Sequence, residues 1–228
     1  MKKYILFIAI IFSSNSIFSQ TVSFFAEYNY NSYSHESLKQ FNREFLNDLT
    51  EIVPAQTVDE YPASQGFTLG VLINNITVYY SRMSTGAKVS YSDYSGVANV
   101  TQHLGGNLIG VSYNFEAYKR GNHEIKIPLK SGITFSNLDV ESYSEVHGKI
   151  DKDSYKFKSI DLGLGVGVIY EYSISFFKLR ASLGYDLVFG GKLKLNDKNH
   201  LVNDRNQIVR TEWSGFRTGL GIVLPVGN

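Results

Sequence analysis

From Ile160 to Tyr172 every second side chain is apolar. Ile160, Leu162, Leu164, Val166, Val168, Tyr170 and Tyr172 occupy the even positions. Asp161, Gly163, Gly165, Gly167 and Glu171 occupy odd ones, with Ile169 the exception. A period of two specifies an extended strand with two unlike faces. One face is wholly greasy and the other is glycine and acid. This is the pattern of a wall strand with hydrocarbon on one side and a crowded polar interior on the other.

The pattern recurs. A first strand of about Val22 to Tyr30 sets Val22, Phe24, Ala26, Tyr28 and Tyr30 against Ser23, Phe25, Glu27 and Asn29. A second, about Gln65 to Ile73, aligns Phe67, Leu69, Val71 and Ile73. A third, Ile76 to Tyr91, changes parity from Ile76, Val78 and Tyr80 to Met83, Ala87 and Val89, which predicts a bulge near Ser81 and Arg82. A fourth ends with Ile109, Val111, Tyr113, Phe115 and Ala117 on one face, and a fifth carries Ile125, Ile127, Leu129, Ile133 and Phe135. Ile160 to Tyr172 is the sixth. A seventh aligns Phe177 through Phe189, and an eighth runs from about Val209 to Val226.

The connections alternate long and short. Long ones are expected over Asn31–Ser64, Ser92–Ala98, Asp139–Ser154 and Gly190–Gln207, and short turns at Asn74-Asn75, Lys119–His123 and Glu171–Ser175. Asn tolerates the positive φ of a two-residue hairpin. The predicted fold is all-β: an eight-stranded antiparallel up-and-down transmembrane β-barrel with one short amphipathic helix in its first long loop. That helix spans His35 to Leu49, with Ser34 as N-cap and Leu38, Phe41, Phe45, Leu49 and Ile52 in one apolar stripe. Its polar face carries Lys39, Arg43, Glu44 and Asp48, a mixture of signs. The stripe would cover the barrel mouth, meet an envelope protein partner, or lie at a lipid interface.

Residues 1–20 read as a secretory signal peptide: Lys2 and Lys3, an apolar run from Tyr4 to Phe12 too short to span a bilayer, then a polar end with cleavage after Ser19 or Gln20. Residues 21–228 form the barrel domain. No later apolar run reaches the ~20 residues of a membrane helix, so a mature chain that spans a membrane does so as a closed barrel. The absence of cysteine excludes a lipoprotein anchor and a disulfide framework. With 22 basic against 21 acidic residues, no nucleic acid partner is indicated.

The alternation assigns charges to the interior: Lys126, Lys130, Lys178, Arg180 and Arg217 against Glu27, Glu116, Asp161, Glu171 and Asp186. Eight strands enclose a space that side chains fill, and buried charges need partners. The expected arrangement is a salt-bridged network, with a narrow gated path as the alternative. Gly163, Gly165, Gly167, Gly184, Gly219 and Gly221 leave room for the long charged chains.

With these features the chain resembles the small eight-stranded outer-membrane barrels of the OmpA-like and PorT-like kind, over essentially the whole mature sequence. The last strand of that family often reads polar-x-Gly-x-x-apolar-x-apolar, a signal for the barrel assembly machinery. Arg217, Gly219, Ile222 and Leu224 match it, although this chain ends Pro225-Val226-Gly227-Asn228 rather than in an aromatic residue. The resemblance implies a bacterial outer-membrane location and outer-membrane lipid as surroundings.

Chemistry is sparse. His35, His103, His123, His147 and His200 lack metal-ligand spacing and mostly fall in predicted loops. His103, Ser112 and Glu116 supply the residue types of a lipid-deacylating barrel, but nothing in their spacing requires that role. The Gly163–Gly167 repeat is a strand face, because no helix follows it to cradle a phosphate. No catalytic, metal or cofactor site is expected. The expected function is structural, adhesive or in envelope or secretion assembly through the long loops. The alternatives are a small pore or transporter and a soluble ligand-carrying barrel with its apolar faces inward.

Overall fold

A computed structural model describes residues 22–50, 56–94, 96–146, 149–195 and 199–226. The signal peptide expected over 1–20, Ile52, His147 and the last two residues lie outside the described residues. In chain order the elements are β1 (Val22–Tyr33), α1 (Glu36–Thr50), β2 (Gln56–Glu60), β3 (Ser64–Ile73), β4 (Ile76–Asp93) and β5 (Gly96–Arg120). They continue with β6 (His123–Val146), β7 (Lys149–Ile174), β8 (Phe177–Gly190), β9 (Lys194–Leu195), β10 (Asn199–His200) and β11 (Gly215–Val226).

Eight of the strands pair in a closed antiparallel ring. Each of β3 to β8 pairs with the next, and β8 then pairs with β11, β11 with β1 and β1 with β3. Closure removes the unpaired edges an open sheet would expose. The seam between first and last strands runs in unbroken register from Val22↔Val226 to Tyr33↔Gly215. At the end of the ring holding both strand termini, the turns are two residues long. Their first residues, Asn74, Gly121 and Ser175, all have positive φ (54°, 58° and 48°), as hairpin turns that follow the strand twist require.

Side chains on β1 alternate strictly: Phe24, Ala26, Tyr28 and Tyr30 are exposed outside, and Ser23, Phe25, Glu27 and Asn29 are buried inside. On β7 Ile160, Leu162, Leu164, Val166, Val168 and Tyr170 point outward, with Ile160 64% and Leu162 61% exposed. A soluble ligand carrier would need the reverse orientation. Ten residue steps from Ile160 to Tyr170 at about 3.3 Å, tilted about 40°, span roughly 25 Å, the height of the apolar band of a membrane barrel.

The parity change on the third predicted strand has a different cause from the bulge expected near Ser81 and Arg82. The register of β4 runs without a shift from Ile76↔Tyr113 to Asp93↔Gly96. Odd residues stay inside throughout: Thr77, Tyr79 and Ser81 are buried, and so are Met83, Ala87 and Val89. What changes is the surroundings. Above Tyr80 the outside becomes polar and the inside apolar, so a period-two pattern swaps phase while the backbone continues straight. The same exchange occurs on β5 between Ile109 and Asn107, on β6 between Phe135 and Asn137, and on β7 between Ile160 and Lys158. Register shifts lie elsewhere, between Thr57 and Asp59 where β2 pairs with β4, and between Glu116 and Tyr118 near a short turn.

Two predicted loops are therefore strands. Ser92–Ala98 and Asp139–Ser154 belong largely to the tall hairpins β4–β5 and β6–β7, in which β5 and β7 reach 25 and 26 residues. Their outward side chains are mostly polar because they stand above the apolar band, and this resembles a loop in sequence. The other two long connections fold into the space between the hairpins. β2 pairs with β4, and β9 pairs with β7. Residues 209–214, assigned by sequence to the eighth strand, are part of this inward fold, and β11 starts at Gly215.

The connections and the hairpins bury Leu38, Tyr61, Met83, Ala87, Leu104, Leu138, Leu193, Val209 and Trp213 together. Helix α1 turns Leu38 and Phe41 into this cluster, so that part of its apolar stripe covers the mouth. Its amino end is capped across the chain: the Ser37 amide donates to Glu212 Oε2 at 2.9 Å. Ser34, the N-cap expected from sequence, instead contacts the Glu212 carbonyl at 3.5 Å.

Candidate functional site

The interior of the ring is the most organised polar region. It is assembled because alternate residues of neighbouring wall strands face one axis. Starting near the short turns, Lys178 Nζ donates to Glu124 Oε2 at 2.7 Å. Lys126 Nζ lies 3.0 Å from Glu124 and 2.9 Å from Glu171. Arg180 continues the chain, 3.2 Å from Glu171 and 3.1 Å from Glu27. Glu27 also accepts from Asn29 at 2.8 Å and Ser182 at 2.9 Å. The Arg180 guanidinium sits 4.3 Å from the centre of the Phe25 ring. The ladder thus links β6, β7, β8 and β1, with Glu27, Lys126, Glu171 and Arg180 all buried. At this depth the carboxylates hold the cations and the cations hold the carboxylates, since either alone would bear an uncompensated desolvation cost.

A second group lies nearer the mouth. Arg217 Nε donates to Asp186 Oδ2 at 3.0 Å, and the Tyr33 hydroxyl donates to the same oxygen at 3.1 Å. Lys130 stands beside it, 5.9 Å above the Tyr79 ring, with no carboxylate at ion-pair distance among the described residues. Asp161 belongs to neither group. It accepts from Thr211 at 2.9 Å, Ser136 at 3.1 Å and Ser159 at 3.3 Å, so it ties the last connection to the wall. Glu116 stands at the rim, half exposed, 3.8 Å from Lys119. Of the charges assigned to the interior, all but Lys130, Asp161 and Glu116 therefore fall in the two ion-paired groups. Glu124, which the alternation places on the same strand face as Lys126, joins the network although it was not counted among the interior charges.

The glycines divide by what they face. A Cβ at Gly165 would collide with the Asp186 carboxylate, and one at Gly219 with Glu27. Gly167, Gly184 and Gly221 face backbone, and a Cβ at Gly163 would make only ordinary contact. Of the residues matching the assembly signal, Arg217 and Gly219 face inward, and Ile222 and Leu224 face outward.

Above the ionic region the mouth is closed by the apolar cluster. Trp213 is 1% exposed and its Nε1 donates to Ser136 at 2.8 Å. The His35 ring packs edge-on against Trp213 at 4.8 Å, and its Nδ1 lies 2.5 Å from the Thr211 carbonyl. Its Nε2 is buried without a hydrogen-bond partner among the described residues. Burial drives the imidazole down to about 4, against the opposing pull of the Thr211 carbonyl. His35, placed by sequence at the start of the amphipathic helix, is part of the core. Tyr61 bonds Gln102, which donates to Asn42 at 2.9 Å, and burial raises the Tyr61 hydroxyl above its usual range.

His103 and Ser112 occupy opposite faces of β5, the first exposed outside and the second buried inside. With Glu116 at the far rim they cannot meet as a catalytic group. His123, at a short turn, bonds the Tyr170 hydroxyl at 2.8 Å on the outer surface.

No protein-family model and no curated protein matches the chain. Among solved structures, it is similar to a major outer membrane protein from Thermus thermophilus, with 13% identity and a TM-score of 0.50, over 92% of this chain and 100% of that one. It also aligns with the neisserial surface protein NspA at 14% identity, over 91% of this chain and 97% of that one, with a TM-score of 0.36 that bears no weight. The closed ring of antiparallel strands has the fold of a small outer-membrane β-barrel protein.

Proposed function

We propose that the chain is a non-enzymatic, eight-stranded transmembrane β-barrel of the bacterial outer membrane, exported on a cleaved signal peptide. Its short turns face the periplasm and its capped mouth faces outward. The observation that carries this reading is the continuous apolar belt around a ring whose interior is ionic. A soluble protein seldom exposes an apolar patch beyond a few hundred square ångströms, whereas hydrocarbon accepts such a belt. Arg217, Gly219, Ile222 and Leu224 are read as the segment handed to the barrel assembly machinery. Structural or adhesive work, or a place in envelope or secretion assembly, falls to the tall hairpins and the exposed polar side of α1.

The interior is crossed by side chains bound to one another, and the cluster around Trp213 covers its upper end. Steady ion current is therefore not expected of this barrel. The test is fractionation of cells making the full chain, followed by electrophoresis with and without heating. Recovery in the outer membrane with heat-dependent migration supports the reading; recovery as a soluble protein ends it. Planar bilayers should record no steady conductance, and a persistent open level would move the protein to the pore class.

A further inference from the structure

We infer that the groove where β7, β9 and β10 meet binds the headgroup of an anionic, phosphate-bearing lipid in the leaflet at the mouth end. This rests on the transmembrane reading above. The groove encloses about 490 Å³ and is lined by Lys158, Lys192, Lys194 and His200 above Phe135 and Ile160. No Asp or Glu lines it among the described residues.

The strand register concentrates the charge. Lys158 is directly opposite Lys194, and Lys194 is directly opposite His200, so three basic residues stand in one cross-strand row. Like charges directly opposed destabilise a sheet. One outward position higher on β7 the chain resolves the same difficulty internally: Lys156 has Asp139 opposite it, at 3.7 Å. Lys158 has Asn137 opposite it on that side instead. The three lysines of the groove have no carboxylate at ion-pair distance among the described residues, and an anion from outside would supply the missing charge.

The height of the row selects a lipid over a soluble anion. Lys158 is the outward residue immediately above Ile160, about 7 Å along the strand. Ile160 and Leu162 are among the most exposed apolar side chains of the belt. An acyl chain lying on Ile160, Leu162 and Phe135 brings its phosphate to the level of Lys158 and Lys194. A second hollow on the hairpins contains Arg82, Lys88 and His103 but also Asp59 and Asp139, and so lacks this one-sided charge.

The test uses the full chain folded in neutral detergent, with native mass spectrometry at low salt and three probes: cardiolipin, phosphatidylglycerol and phosphatidylcholine. Retention should fall in that order. K192Q/K194Q should retain cardiolipin about thirtyfold less well, from roughly fivefold per lysine near an anionic lipid surface. K158Q should lose about fivefold, and K149Q/K152Q near the hairpin tip should match the parent. Equal retention of cardiolipin by the parent and K192Q/K194Q would overturn the assignment. So would equal retention of phosphatidylcholine, or full displacement by millimolar inorganic phosphate, which marks a site for an ion only. Heat-dependent migration run in parallel separates the two proposals. A parent chain that fails to fold into membranes defeats the barrel, whereas one that folds but shows no headgroup preference defeats this inference alone.

Discussion

The lower and upper halves of β4 to β7 are built from the same continuous strands with opposite chemistry. Below the level of Tyr80, Ile109, Phe135 and Ile160 the outside is aliphatic and aromatic and the inside carries Glu124, Lys126, Lys130 and Glu171. Above it the outside is Arg82, Asn107, Asn137 and Lys158, and the inside is Met83, Leu104, Leu138 and Phe157. The lower half is held by ion pairs in a confined space, the upper half by ordinary hydrophobic burial against the connections. The backbone ladder is indifferent to the change. A β-sheet thus crosses between two solvents by exchanging the chemistry of its faces, with no change of conformation.

Four measurements sharpen or break this contrast. The largest effect is expected from Glu171→Leu, which leaves Lys126 and Arg180 short of a partner. Removing one member of a buried ion pair costs about 3–5 kcal/mol, to be read as a lowered urea midpoint for unfolding in micelles. A loss below about 1 kcal/mol, the range of an exposed pair, would mean the interior is wet enough to solvate the cations. Next, Leu164→Arg places a charge in the middle of the outer belt and should cost about 2–4 kcal/mol and block assembly. Asn137→Arg, on the same outer surface but above the belt, should change stability by less than about 0.5 kcal/mol. Equal effects at the two positions would erase the boundary.

The third measurement separates the cap from the wall by pH. His35 is held neutral in the folded chain, its value near 4 against 6.5 for an exposed imidazole. The unfolded chain takes up the proton first. The cap is therefore fully stable above about pH 6.5 and loses stability as the pH falls towards 4, by on the order of 3 kcal/mol. Trp213 is the single tryptophan and touches His35, so its fluorescence reports cap opening directly. It should change over this range in the parent and not in His35→Phe. The smallest effects concern the glycines. Gly165→Ala must displace Asp186 from Arg217 and Tyr33 and should cost about 1–3 kcal/mol. Gly163→Ala meets only ordinary contacts and should fall within about 0.5 kcal/mol.

The wall was legible because alternation survives on every ring strand, and Glu27, Lys126, Glu171, Arg180 and Arg217 could be assigned inward from parity alone. The cap was not. Period-two reading reports which residues share a face but not what that face meets, so the phase change on β4 imitated a bulge. The polar outer faces of the tall hairpins likewise imitated loops. Trp213, His35 and Leu193 come together from separate connections whose local patterns say nothing of one another. Which charges pair was also hidden, since Glu27 and Arg180 are 153 residues apart. The row of Lys158, Lys194 and His200 depends on how two two-residue strands register with each other and with β7, which no periodicity reveals.

The seam between β1 and β11 has a consequence for how the molecule comes into being. The opening strand can gain its partner on that side only after β11 has been made. Glu27 and Tyr33 likewise wait for Arg180 and Asp186 on β8, each 153 residues further on. Contacts spanning nearly the full chain make for slow, concerted closure. The ring therefore closes only once β11 has been made, from a polypeptide that must be kept unassembled until that strand arrives.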